Sequence, residues 1–388
     1  MSAAQWRRAM KSGESSARGR HHVLPAHAGA ATATSPAHIP VYGVQGNSDA
    51  AGWFAVLQRS LQARHILVAL FVLLFPLLAT PFITFQVGAQ SLILGMIALS
   101  LGFLAGYGGM VSLAQMTVAG IAGYAMAVLG TSSATEISLG WPWWIAVAFA
   151  LLIAVACSAL IGWLSVRTEG IYTIMITLAI GVAFYYLVLQ NYSVFNGFQG
   201  LRELKPPTLL GIGWREPIPF YFLSLACALA GYFLVRYVVR APFGIALQGI
   251  RDNPRRMGAL GYSVVAHRVA AYALSGLIAA VGGILLAWYN ALITPGSVGM
   301  SWMINILVIA VLGGVKHPIG AFVGAIVFVL LQTFAIDLID RERFNLVIGT
   351  VFLAIVLFSP DGLLGLWAKL RSRFSPKQAI SSPLRRQL

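Results

Sequence analysis

Ser112 and Gln115 are the polar side chains best placed to do chemistry in this sequence. They lie in GFLAGYGGMVSLAQMTVAGIAGYAMAVL, residues 102–129, an apolar run interrupted by Gly106, Gly108, Gly109, Gly120 and Gly123. Glycine admits unusual backbone angles and close helix approach. A helix broken here within a bilayer would expose unpaired amides and carbonyls beside a hydroxyl and a carboxamide. Such a site suits a polar zwitterionic or amide solute. The same glycines also serve plain helix packing, and their spacing favours neither reading.

A second set is basic. Residues 240–268 hold Arg240, Arg251, Arg255, Arg256 and Arg268 against one acid, Asp252. Such a loop fits either a protein-facing surface or anionic lipid headgroups. Catalytic chemistry finds no residues. The chain has no GxxxxGK[ST] phosphate loop, no HExxH and no GxSxG. No Asp, Glu, Lys or Arg stands near the middle of an apolar run, whereas ion-coupled carriers usually need ionisable groups there. That argues against an ion-coupled secondary transporter, the main rival from another class. Cys157 and Cys227 lack metal-ligand spacing. His21, His22, His27 and His38 are scattered along a polar segment, so no metal site is expected.

The elements that must position these residues follow from composition. Of 388 residues 59% are hydrophobic and only 10% charged, against about 25% charged in soluble domains. Apolar runs near the ~20 residues needed to cross hydrocarbon occupy 66–84, 88–106, 110–130, 143–166, 171–189, 218–239, 269–291, 303–315, 318–336 and 344–358. The expected fold is therefore all-α, a polytopic transmembrane bundle of about ten spans with a glycine-broken helix near the pathway. The runs 110–130 and 303–315 are candidates for re-entrant or broken segments.

An even number of crossings puts both termini on one side, and the positive-inside rule makes that side cytoplasmic. The basic 240–268 loop and the tail with Lys369, Arg371, Arg373, Lys377, Arg385 and Arg386 then share it. The net charge of +15 thus sits in tails and one loop, a distribution unlike a nucleic-acid surface. Residues 1–65 lack the apolar core of a signal peptide and read as a basic, largely disordered cytoplasmic tail. Residues 66–367 form the membrane domain, and 368–388 a second basic cytoplasmic tail. The outer loop 190–217 is a candidate docking surface.

The segment GYGGMVSLAQMTVAGIAGYAMAVL resembles the GYxGxxSLGQ signature of the branched-chain amino-acid ABC transporter permease family, its LivM-like members in particular. RTEGIYTIMITLAIG at 167–181, FNGFQGL at 195–201, the stretch 241–285, VLGGVKHPIGAFVGA at 311–325 and FSPDGLLG at 358–365 continue the resemblance in order. The resemblance implies a permease subunit in the bacterial inner membrane, paired with a second related permease. Two ATP-binding subunits and a periplasmic solute-binding protein complete the assembly. It implies no cofactor in this chain, with ATP and Mg on the partner subunits. Gly106, Gly108, Gly109, Ser112 and Gln115 become the substrate-pathway residues. Arg251, Asp252, Asn253, Ala259, Leu260 and Gly261 become the ATPase-coupling element. Pro254 to Gly258 depart from the family pattern, and a urea or short-amide permease of the same family is the nearest alternative.

Overall fold

A segment in hydrocarbon must satisfy its own backbone hydrogen bonds, and the helix does so within one stretch of chain. The computed structural model describes residues 63–338 except 135, 169, 205, 210 and 211, together with 349, 350, 353 and 362–365. Helix α1 is Ala63–Leu78, α2 Pro81–Gly108, α3 Gln115–Leu129, α4 Trp143–Ser165 and α5 Ile171–Gln190. Then come α6 Pro217–Arg240, α7 Pro242–Asp252, α8 Pro254–Ala259, α9 Val264–Asn290, α10 Met300–Gly313 and α11 Pro318–Leu338.

Three boundaries correct the sequence reading. The break expected between 84 and 88 falls instead at residues 79–80. There Thr80 caps α2 by accepting the Ile83 N–H at 3.4 Å, and Pro81 takes the first helical position. Thr84–Ala89 continues α2 as a π-helical turn. The run 110–130 is helical only from Gln115. The basic loop ends earlier than 268, because Ser263 caps α9 through the Ala266 N–H at 3.4 Å. Arg268 therefore lies on a helix.

Among the described residues, α2, α4, α5, α6 and α9 are long and apolar enough to cross a membrane, which makes five. Helices α10 and α11 meet at 116° across a short break and add a sixth if counted as one span. Helix α3 is apolar but has only 15 residues. Of the expected run 344–358, only 349, 350 and 353 are described, as helical. The tails 1–62 and 366–388 lie outside the described residues.

Helices α2, α3 and α9 form the centre of the bundle, and α11 packs on α2 while exposing Ile319, Ile326 and Phe334. The apolar window of α2 is 89% buried and that of α5 only 22%, so α2 is an inner helix and α5 a peripheral one. The outer faces of α4 and α5 expose Phe149, Leu152, Leu160, Ile171, Met175 and Leu187, which fits contact with hydrocarbon. Small residues bring the inner helices together. At Gly283 a Cβ would stand 2.0 Å from the Ala119 carbonyl oxygen, so α9 crosses α3 backbone to backbone.

At the end remote from α7 and α8, β1 (Leu201–Arg202) pairs antiparallel with β4 (Leu292–Ile293), Leu201 opposite Ile293 and Arg202 opposite Leu292. This pairing ties the 190–217 loop to the turn after α9. Within the loop, β2 (Thr208–Leu209) and β3 (Ile212–Gly213) form a small hairpin.

Candidate functional site

The site begins where α2 stops. Gly109 adopts φ 67° and ψ 19°, a left-handed cap natural to glycine, and the Met110 N–H returns to the Leu104 carbonyl at 3.1 Å. Met110–Ala114 then links α2 to α3 without helix. The Leu113 N–H donates to the Thr177 hydroxyl of α5 at 3.2 Å, which fixes the turn and leaves Ser112 fully buried. The Ser112 hydroxyl has no hydrogen-bond partner among the described residues.

Gln115 opens α3 and is 1% exposed. Its Oε1 lies 3.2 Å from the Ser100 hydroxyl and 3.0 Å from that of Ser275. Each serine carries one proton and faces a second acceptor, the Ile97 carbonyl at 2.6 Å from Ser100 and the Ser100 carbonyl at 2.9 Å from Ser275. A hydroxyl oxygen also accepts. In either orientation the carboxamide keeps one end paired with the serines and the other free, and in the assigned orientation the free atom is Nε2. A buried amide with an unpaired end costs about 1–3 kcal/mol relative to a satisfied one. Such a group is suited to receiving a polar solute.

The two residue sets read separately from the sequence meet at Arg251. Its Nη1 donates to the Gly106 carbonyl on the last turn of α2, 145 residues away in the chain. Its Nε and Nη2 both reach Asp252 Oδ1 at 2.9 Å. The Arg251 side chain also occupies the space beside Gly109, its Cγ lying 2.5 Å from where a Cβ would be. Gly108 packs beside the Met110 side chain. The end of the α7 helix therefore rests directly on the turn that carries Ser112.

Among the described residues, the hydrogen bonds of Asp252 and Asn253 stay within the α7–α8 segment. Asn253 joins α7 to α8, its Oδ1 accepting the Arg256 N–H at 3.0 Å. Ala259 ends α8, and Gly261 turns the chain with φ 90°. Helix α7 is amphipathic: Gly244, Ala246, Leu247 and Ile250 are buried. Arg255 and Arg256 are exposed, as are Ile245, Leu260, Tyr262 and Val265. A mixed apolar and basic surface of this kind fits a protein partner better than water alone.

Sequence reasoning missed Ser100, Ser165, Tyr272 and Ser275 and placed Arg268 in a loop. A signal was present: Arg268, Tyr272 and Ser275 stand at i, i+4 and i+7, one helical face. That face points toward Ser112 and Gln115, since Ser275 bonds Gln115 and Tyr272 faces the hydroxyls of Ser112 and Ser165.

Apolar outer faces, an inner core closed by small residues and a polar buried turn joined to a basic surface loop mark a multi-pass helical membrane protein. Residues 83–356 match the family described as branched-chain amino acid transport system, permease component, and the chain belongs to that family. It is 26% identical over 333 residues to the high-affinity branched-chain amino acid transport system permease protein LivM of Escherichia coli K12, covering 80% of this chain and 77% of that one. The corresponding LivM protein of Salmonella typhimurium is 24% identical over 76% of this chain and 74% of its own. A probable branched-chain amino acid transport permease protein LivM of Methanocaldococcus jannaschii is 23% identical over 61% and 72%. No solved structure matches the chain.

Proposed function

We propose that this chain is the membrane permease subunit of an ATP-driven importer that moves branched-chain amino acids across the bacterial inner membrane. The observation that carries the reading is the family match over residues 83–356. The partners are a second related permease, two ATP-binding subunits and a periplasmic solute-binding protein. ATP and Mg belong to the ATP-binding subunits. In this reading the chain crosses the membrane ten times. Helices α3 and α10 are short crossings, and the stretch around 344–358 is the last. Gly109–Ala114 acts as the break that lets the chain present Ser112 and Gln115 to the pathway. The α7–α8 side and both termini are cytoplasmic, as the positive-inside rule requires.

The geometry supports a mechanical route. Closure of the ATP-binding subunits displaces α7 and α8, and Arg251 carries that displacement to Gly106 and the Ser112 turn. The pathway alternates between two arrangements, and solute biases them only through its different affinity for each. Gln115, with one free amide end, offers weak polar contact and leaves tight selection to the solute-binding protein.

The test is uptake of labelled leucine, and separately of urea, into vesicles containing the assembled importer, with and without ATP. ATP-dependent leucine uptake supports the proposal. Urea uptake alone moves the solute class to short amides, and uptake that ignores ATP removes the importer reading.

A further inference from the structure

The hydroxyls of Ser112, Ser165 and Tyr272 lie in side chains that are each 0% exposed, and none has a hydrogen-bond partner among the described residues. The Tyr272 hydroxyl faces those of Ser112 and Ser165 without reaching bonding geometry with either. One helical turn before Tyr272, Arg268 adds a buried, unpartnered Nε–H. The three elements that bring these groups together are the turn after α2, the end of α4 and the second and third turns of α9.

The Tyr272 ring is held in place. A Cβ on Gly162 of α4 would stand 2.6 Å from Tyr272 Cβ, and the Ser158 hydroxyl donates to the Tyr272 carbonyl at 2.7 Å. Tyr272 is thereby packed against α4 through its backbone, its Cβ and the near edge of its ring.

Each buried hydroxyl without a partner costs about 1–3 kcal/mol. The hydroxyls can donate or accept, but the guanidinium N–H beside them only donates, so the group as a whole favours an acceptor carrying negative charge. A carboxylate is acceptor-only, with two oxygens and about four lone-pair positions, and hydrogen bonds between it and arginine are among the strongest available. A neutral urea carbonyl has one acceptor oxygen flanked by donors that arginine repels.

We infer that Arg268, Tyr272, Ser112 and Ser165 form a carboxylate-binding station on the α7–α8 side of Gln115, where the α-carboxylate of the transported amino acid is held on its way out. The importer reading supplies the source of that carboxylate; the station itself stands on the four donors. Ordinary internal water is the competing occupant, and it satisfies hydroxyls without distinguishing a carboxylate from an amide.

The experiment measures thermal unfolding of the purified importer with leucine or leucinamide at millimolar concentration, for wild type, Tyr272→Phe, Arg268→Gln and Arg268→Lys. The expected result is a rise of about 2 °C or more with leucine for wild type, none with leucinamide, loss of the rise in Tyr272→Phe and Arg268→Gln, and partial return in Arg268→Lys. Tyr272→Phe keeps the ring that packs on Gly162 and removes an unpaired hydroxyl, so its unliganded stability is at or above the wild-type level. If leucine and leucinamide act alike, if neither shifts wild type, or if the variants respond as wild type does, the station is wrong and the groups hold water. The uptake assay separates the two readings: a leucine-specific shift without ATP-dependent leucine uptake keeps the station and discards the importer's assigned cargo.

Discussion

Gln115 joins two serines whose hydroxyls each retain a backbone acceptor without it, the carbonyls of Ile97 and Ser100. Gln115→Leu therefore orphans neither serine and removes an amide end that is itself unpaired. The expected cost in stability is within about 1 kcal/mol. Uptake should nevertheless fall about tenfold, the effect of losing roughly 1.4 kcal/mol of contact with the moving solute. Unfolding temperature and uptake rate, measured on the same preparation, decide it; a large loss of stability with uptake intact makes Gln115 a structural residue. Ser112 and Gln115 were legible in the sequence because polar side chains between glycines are rare in an apolar run. Arg268 was not, because it reads as the last of the arginines that run through Arg240, Arg251, Arg255 and Arg256, and a loop accounts for it equally well. Only the Ser263 cap, which starts α9 five residues before Arg268, turns that residue toward Tyr272.

Helix contacts explain why the glycines matter unequally. At Gly283 the obstacle to a side chain is backbone, with the Ala119 carbonyl oxygen 2.0 Å and carbon 2.5 Å from a built Cβ. Gly283→Val must separate α9 from α3, and it should destabilise by about 1–3 kcal/mol, as overpacking of interiors does. Gly102 lies inside α2 with nothing within 4 Å of a built Cβ. Gly102→Ala should be neutral or stabilising by up to about 1 kcal/mol, because alanine has the higher helix propensity. The yield of folded protein and the midpoint of thermal unfolding distinguish the pair, and equal effects at both positions would contradict the packing. Hydropathy located α4, α5 and α6 to within a residue or so, since long uninterrupted apolar runs leave little choice. It misplaced the end of α1 and the start of α3. Those boundaries depend on Thr80 and Pro81 as a cap and on the left-handed Gly109, local chemistry that a hydropathy window averages away.

In the proposed importer, the α7–α8 segment has an inward and an outward face. The inward face ends in Arg251, whose bonds reach Gly106 and Asp252, while the outward face presents Arg255, Arg256, Leu260 and Tyr262. If the outward face docks on an ATP-binding subunit, Arg255→Glu with Arg256→Glu should weaken assembly, and less ATP-binding subunit should co-purify with the permease. Arg251→Ala leaves that face intact, so assembly should survive. What it removes is a charge-assisted bond to the end of α2, worth about 1.5–3 kcal/mol, the link through which the proposed route would carry motion of α7 to the Ser112 turn. The expected signature is a fall of about tenfold in leucine moved per ATP hydrolysed, with the subunits still co-purifying. Arg251→Lys, which keeps one donor but loses the fork that serves both Gly106 and Asp252, should fall between wild type and alanine. Loss of assembly in Arg251→Ala would put this side chain in the docking surface. An unchanged ratio of solute to ATP would mean that the motion travels instead through the buried face of α7, where Leu247 and Ile250 belong to the core.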